Sequence, residues 1–390
     1  MKKLLVAVAA LVGVAVAASV GSAGTARTAA SSASAVSCGT TRTIGFLVPA
    51  TGPAASIGQQ QVRWNKFIVN QWNKTHKTAR IVVSQQDTQL GAANGSAQAL
   101  AGAQALASNS KVLAVVGAAG SNENKGIRAT LKGAGFGWVT GSATADELTT
   151  PAAGTRGYFF RAVPPDSQQG TTVANLMVNK LKVSKVYIID DQEAYSTGLA
   201  DTVEAKLKAA GKSVSRDGVS QQESDFSSLI AKIDRSTSVI YIPWQLSPKA
   251  AAFVSQLKQA GKSNIAVMGS DGLYADDFAA SGNPPTIYDS MFPVSPTQSD
   301  VKAYEKAHGG KGDFFGAPTG VATQVVLGAI DRACKDGKAT RAEVRAQIAK
   351  TNIPKSILGF TIKFAKTGEL SGGKFGLYKS NGKIFLPISA

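Results

Sequence analysis

The chain is poor in the residues on which most enzyme chemistry depends. It has two cysteines and two histidines in 390 residues. So few leave no His/Cys/carboxylate cluster at metal-ligand spacing and no recognisable nucleophile–base pair. There is no Gly-x-Ser-x-Gly elbow and no phosphate-binding loop. Gly133, Gly135 and Gly137 precede a strand, the wrong place for dinucleotide binding. These absences argue against an enzyme and against a metal or organic cofactor. Beyond residue 20 no apolar run has the length that spans a bilayer. Acidic residues are also scarce, 25 against 42 Lys and Arg, giving a formal net charge of +17. That excess could signal nucleic acid. However, the lysines are spread over helix faces with no basic stripe alternating with aromatics, so the reading is a solvated basic surface and no nucleic-acid partner.

What is present is a core-forming chain, 44% hydrophobic and 17% charged, long enough for two domains. Its first segment reads as an address. Lys2 and Lys3 precede an uncharged apolar run, Leu4 to Val20, and small residues follow. Residues 1–26 are expected to be a signal peptide and 27–40 a flexible leader, so the mature protein is expected to be exported, extracytoplasmic and monomeric. Export into an oxidising compartment favours a disulfide between Cys38 and Cys334. The alternative is a lipid anchor on Cys38. Ala35-Val36-Ser37-Cys38 only loosely matches a lipobox, with Ala three residues before the cysteine and the apolar core well upstream.

The organising stretch runs from Val112 to Leu148. Val112 to Val116 reads as a strand buried on both faces. Gly117 to Gly120 breaks it and Ser121 opens a helix. Trp138 to Thr140 is a second strand, after which Ser142, Ala143 and Thr144 lead into another helix start. Small hydroxyl residues and helix N-terminal N–H groups thus share one rim of a parallel sheet, where open α/β sheets bind ligands and where a carboxylate is welcome. Ser121 and Thr144 could equally be ordinary N-caps. Strands and helices alternate on both sides of this stretch, from Thr43 to Thr140 and again from Gln168 to Met268. The fold class is therefore α/β: two Rossmann-like halves with parallel sheets, and helices gathered near the end.

The ordered segments TIGFLVPATGPAASIG, VVGAAGS, TGSATADELT, YFFRAVPPDSQQG, VYIIDDQEAYSTGLADTVEAKLKAAG, VMGSDG and KFAKTGEL resemble the branched-chain amino-acid-binding, type I periplasmic binding proteins of ABC importers. The resemblance covers almost everything after residue 41. It implies two lobes joined by three crossovers, near Arg161 to Val163, Phe292 to Val294 and Ile357 to Phe360. Lobe one would hold 41–161 plus 293–357, and lobe two 162–292 plus 358–390. A small amino acid or related zwitterion would be trapped between them and handed to a membrane ABC permease.

By the same resemblance Ser121, Ser142, Ala143 and Thr144 would hold an α-carboxylate, and Tyr195 and Asp271 an α-ammonium. Trp244 falls near a pocket aromatic of the family, though Pro243, Gln245 and Leu246 depart from its pattern. Ile57 stands over the side-chain pocket where the family often has an aromatic, which reshapes that pocket. Taken alone, Asp271 could cap a helix near Tyr274, and Tyr195 or Trp244 could be core aromatics. Asp87, Asp190 and Asp191 read as strand-end caps or lobe contacts, and His76 and His308 as surface residues. The alternatives to an amino acid are an amide, urea or an aromatic carboxylate. An exported enzyme on the same scaffold is the remaining one.

Overall fold

A computed structural model describes residues 35–292, 299–308 and 313–389. The expected signal peptide, most of the leader and most of the second crossover lie outside them. Among the described residues two large sheets form. The first runs Arg80–Asp87, Thr41–Val48, Val112–Val116, Trp138–Thr140, Phe159–Arg161, parallel throughout. The second runs Ser213–Gly218, Lys185–Asp190, Val239–Tyr241, Ala266–Met268, Ile287–Met291, also parallel. Gly376–Ser380 and Phe385–Ile388 extend its edge antiparallel. In each parallel set the first strand in the chain lies between the second and the third. That order reverses direction at the first strand and opens a crevice there.

Burial explains why these segments become strands. Val112–Val116 is buried at every position, as a central strand covered on both faces by helices must be. Apolar clusters lie on both faces of each sheet. On the first lobe, helix Gly316–Ala333 packs against helix Ala55–Thr75 around Trp64. A Cβ at Gly316 would stand 2.0 Å from the Trp64 ring and one at Gly320 2.8 Å. Both must be glycine for the helices to approach this closely.

Two features differ from the sequence expectation. The end of the leader is tied down: Val36–Ser37 pairs antiparallel with Lys338–Ala339, and the Cys38 N–H donates to the Gly337 carbonyl. The third crossover also lies later than Ile357 to Phe360. Asn352–Ile353 pairs back onto Ile362–Lys363, and Ile357, Leu358, Ile362, Phe364 and Leu370 all pack into the first lobe's core. The chain therefore returns to the second sheet only between Leu370 and Gly376.

Cys38 and Cys334 are joined in a disulfide, with Cα atoms 5.8 Å apart at a sequence separation of 296. It fastens the first residues of the lobe to the end of helix Gly316–Ala333. Cys38→Ser is expected to lower the unfolding free energy by about 2–4 kcal/mol. Denaturant titration checks the size, and unreduced peptide mass spectrometry checks the bond. Free thiols or a diacylglyceryl group on Cys38 in exported protein would contradict it.

Candidate functional site

The site lies at the crevice ends of both sheets. On the first lobe, Gly117 adopts φ +101°, and a Cβ there would meet the Leu47 carbonyl at 2.0 Å, so the turn requires glycine. The Gly120 N–H donates to the Glu123 carboxylate at 2.7 Å, which opens helix Ser121–Gly133. Ser121 is thus the first helical residue, and Gly120 takes the capping position. The Ser121 hydroxyl accepts from the Ala145 N–H at 3.2 Å, joining the two turns.

The second turn is locked from within. The Thr140 hydroxyl donates to the Ala118 carbonyl at 2.7 Å and accepts from the Ser142 and Ala143 N–H groups at 3.2 and 3.1 Å. The Ser142 hydroxyl donates to the Ala119 carbonyl at 2.8 Å and accepts from the Gln61 amide at 2.9 Å. These donors, expected from sequence to face a carboxylate, are already engaged. The Ser121 and Thr144 N–H groups have no protein acceptor among the described residues, and the fully buried Thr144 hydroxyl has no partner there either. The helix expected after Thr144 is a short 3-10 turn, Asp146–Thr149.

Arg161 holds this turn from behind. Its fully buried guanidinium donates to the Ala145 carbonyl at 3.0 Å and to that of Ala143 at 3.4 Å, and pairs with Glu369. The Asp166 N–H donates to the Thr144 carbonyl at 2.9 Å.

On the second lobe, helix Ala194–Ala209 follows Lys185–Asp190 and brings Tyr195 inward. Its ring packs in the core, while its hydroxyl lies 2.6 Å from Asp271 Oδ1 and 2.8 Å from Ser270 Oγ. Asp271 opens the turn Asp271–Leu273 after strand Ala266–Met268. It is buried and has no ion-pair partner among the described residues. Burial pushes its carboxyl up to about 6, against the opposing hydrogen bond from Tyr195. Burial also pushes neighbouring Asp166 well above the usual carboxylate range, and the Asp271 charge adds to that shift. An unpaired buried carboxylate is costly unless a cation reaches it.

Ile57, Ser121, Ser142, Tyr195 and Asp271 line one cavity, together with Leu90, Ala119, Gly120, Gln245, Gly272 and Phe315. Ala143 and Thr144 are buried just outside its lining. The lobes touch across it: Leu246 packs against Ala54, Leu90 and Ala119, and the Gln222 amide donates to the Gly91 carbonyl at 3.1 Å.

Trp244 does not line this cavity. Its indole N–H donates to the Ile189 carbonyl at 2.7 Å, and its ring packs on Phe226 and Phe253 at 5.6 Å. It borders a separate recess with Asp191 and Lys249. The strand ends at Tyr241, and a turn closed by the Trp244 N–H on the Ile242 carbonyl at 2.8 Å carries Trp244 into the core cluster that holds Ile240 and Ile242. Gln245 points the other way, into the cavity. Leu90 and Phe315, brought in from distant segments, carried no local signal. Asp87 is a strand-end cap that accepts from the Thr51 and Gln89 N–H groups. His76 stacks on Trp72, and His308 on Tyr304. Among the described residues no cluster of His, Cys, Asp and Glu is placed to hold a metal, and no helix there is long and apolar enough to cross a membrane.

The family described as "Periplasmic binding protein" matches residues 41–376. The chain belongs to that family. Within it, the chain is of the branched-chain amino-acid-binding, type I kind. A Leu/Ile/Val-binding protein homolog of Brucella melitensis is 26% identical over 88% of this chain and 92% of its own length. An amino acid binding protein of Pseudomonas aeruginosa is 31% identical over 62% of this chain, and the aligned span is 63% of that protein. In structure, a leucine binding protein of Thermotoga maritima superposes with a TM-score of 0.78 at 21% identity, over 89% of this chain and 98% of that one. This periplasmic binding protein thus shares the two-lobed fold of transport-associated binding proteins. Family and fold are those of substrate-binding proteins and not of enzymes.

Proposed function

We propose that the protein is an exported solute-binding component of an ABC importer that captures a small α-amino acid between its lobes and hands it to a membrane permease. One observation carries this reading. The unpaired Asp271 carboxylate faces the same cavity as Ser121, whose free N–H opens the N-terminus of helix Ser121–Gly133. An ammonium suits the first and a carboxylate the second. A zwitterion bridges the two lobes and so favours the closed form. A simple anion such as an aromatic carboxylate leaves Asp271 unpaired, so the amino acid is the better fit. An N-terminal signal peptide over residues 1–26 supplies the export route in this reading. A thermal-shift screen of amino acids, amides, urea and aromatic acids tests it. Stabilisation by an aromatic acid or urea, with none by any amino acid, would refute it.

Affinity is expected to depend on pH with a definite sign. An ammonium prefers ionised Asp271, whose carboxyl sits at about 6. Affinity should be flat above about pH 7, then fall about tenfold per unit as pH drops below 6. The sign for folding is opposite. A carboxyl raised above its unfolded value adds stability at low pH, and that contribution is lost as pH rises through about 6. Calorimetry between pH 4.5 and 8 would show it, and affinity that rises on acidification would contradict the assignment of Asp271.

A further inference from the structure

Capture of an ammonium and a carboxylate leaves one polar side chain of the cavity without a role. Gln245 is 6% exposed, lines the cavity, and its Oε1 has no hydrogen-bond partner among the described residues. Its place is set by Gly272: a Cβ there would lie 2.9 Å from the Gln245 Cα and 2.5 Å from the Trp244 carbonyl. Only glycine lets the 243–245 turn come this close to Asp271. A buried amide left unpaired costs free energy, and in a binding cavity the ligand is the available partner. The rest of the lining narrows what that ligand presents. Ile57, Leu90, Ala119 and Phe315 are apolar, and the Ser142 hydroxyl is engaged with Ala119 and Gln61. No Lys, Arg or His is among the lining residues, and Asp271 is the one carboxylate there. The head group of a zwitterion uses that carboxylate, so a second charge on the ligand would have no counterion.

We propose that Gln245 reads the ligand's side chain, and that the cavity selects an uncharged polar α-amino acid over its aliphatic isostere. This rests on the zwitterion reading of the same cavity. The carboxamide can offer either a donor or an acceptor, so a hydroxyl or an amide on the ligand is matched, and an alkyl group of the same shape leaves the carboxamide buried and unpaired.

Two near-isosteric pairs test this by calorimetry on the full chain: threonine against valine, and glutamine against methionine. In the pair that binds, the polar member is expected to bind at least about tenfold more tightly. Gln245→Met, which keeps the volume, is expected to abolish or reverse that preference. Gln245→Leu serves as a second variant, and melting curves confirm that both fold. Equal affinity within each pair on the wild type overturns the proposal. So does an equal loss for both members in the variants, which would place Gln245 on the shared head group. If no amino acid binds at all, the zwitterion reading fails first and takes this inference with it.

Discussion

Asp271→Asn is expected to bind an α-amino acid about thirty-fold or more weakly than the wild type, a loss of about 2–5 kcal/mol. The substitution keeps the shape of the side chain and removes only its charge. In the wild type, Asp271 is buried, hydrogen-bonded to Tyr195, and without a cation among the described residues. The ligand ammonium would supply that cation, and without the charge a desolvated ammonium is left facing a neutral amide. Folding should not suffer. The wild-type carboxyl, raised to about 6 by burial, is a net cost to the folded state at neutral pH, so the ligand-free variant should be at least as stable as the wild type. Weaker binding with unchanged or higher stability separates a ligand contact from a structural role. An Asp271→Asn protein that binds as tightly as the wild type would assign the cavity to a carboxylate or a neutral solute.

Arg161→Ala should damage both the fold and the site. Arg161 is fully buried, pairs with Glu369, and donates to the Ala143 and Ala145 carbonyls. Its removal leaves Glu369 without its cation and the Ala143 carbonyl without its donor, while the Ala145 carbonyl keeps the Leu148 N–H. Breaking a buried pair costs about 3–5 kcal/mol. The Glu369 side chain is 23% exposed, so the low end applies. Because Arg161 holds the turn that carries Ser142 into the cavity wall, affinity should drop as well. Arg161→Lys restores the charge and not the forked geometry, so it should recover part of the stability and less of the affinity. Denaturant titration and calorimetry on both variants check this. Wild-type affinity in a folded Arg161→Ala protein would mean that the turn needs no such support.

Much of this architecture is legible along the chain because its signals are local. The apolar run Val112 to Val116 and the turn glycines after it mark a strand feeding a helix, and both occur where the pattern places them. Ser121, Tyr195 and Asp271 follow strand ends, and such positions face the crevice of any parallel sheet in this order. What escaped depends on partners far away in sequence. Gln61, which occupies the Ser142 hydroxyl, is 81 residues away, so Ser142 reads as a free donor until the fold is known. The Arg161–Glu369 pair spans 208 residues and draws the segment around Gly368 onto the first lobe, which moves the third crossover. The strand Phe385–Ile388 is a short edge strand with Pro387 in it, a pattern that reads poorly as a strand. Trp244 is different. It stands past the end of strand Val239–Tyr241, where a turn closed on the Ile242 carbonyl sets its direction, and no local pattern signals that.

The central claim is that one cavity takes an ammonium from the second lobe's side and a carboxylate from the first lobe's side at once. Calorimetry with three molecules of the same skeleton tests it most directly: the amino acid that the screen finds best, its deamino acid, and its decarboxylated amine. The amino acid is expected to bind at least about a hundred-fold more tightly than either analogue, since each leaves one buried polar wall unpaired. A deamino acid that binds as tightly as the parent amino acid would contradict the claim.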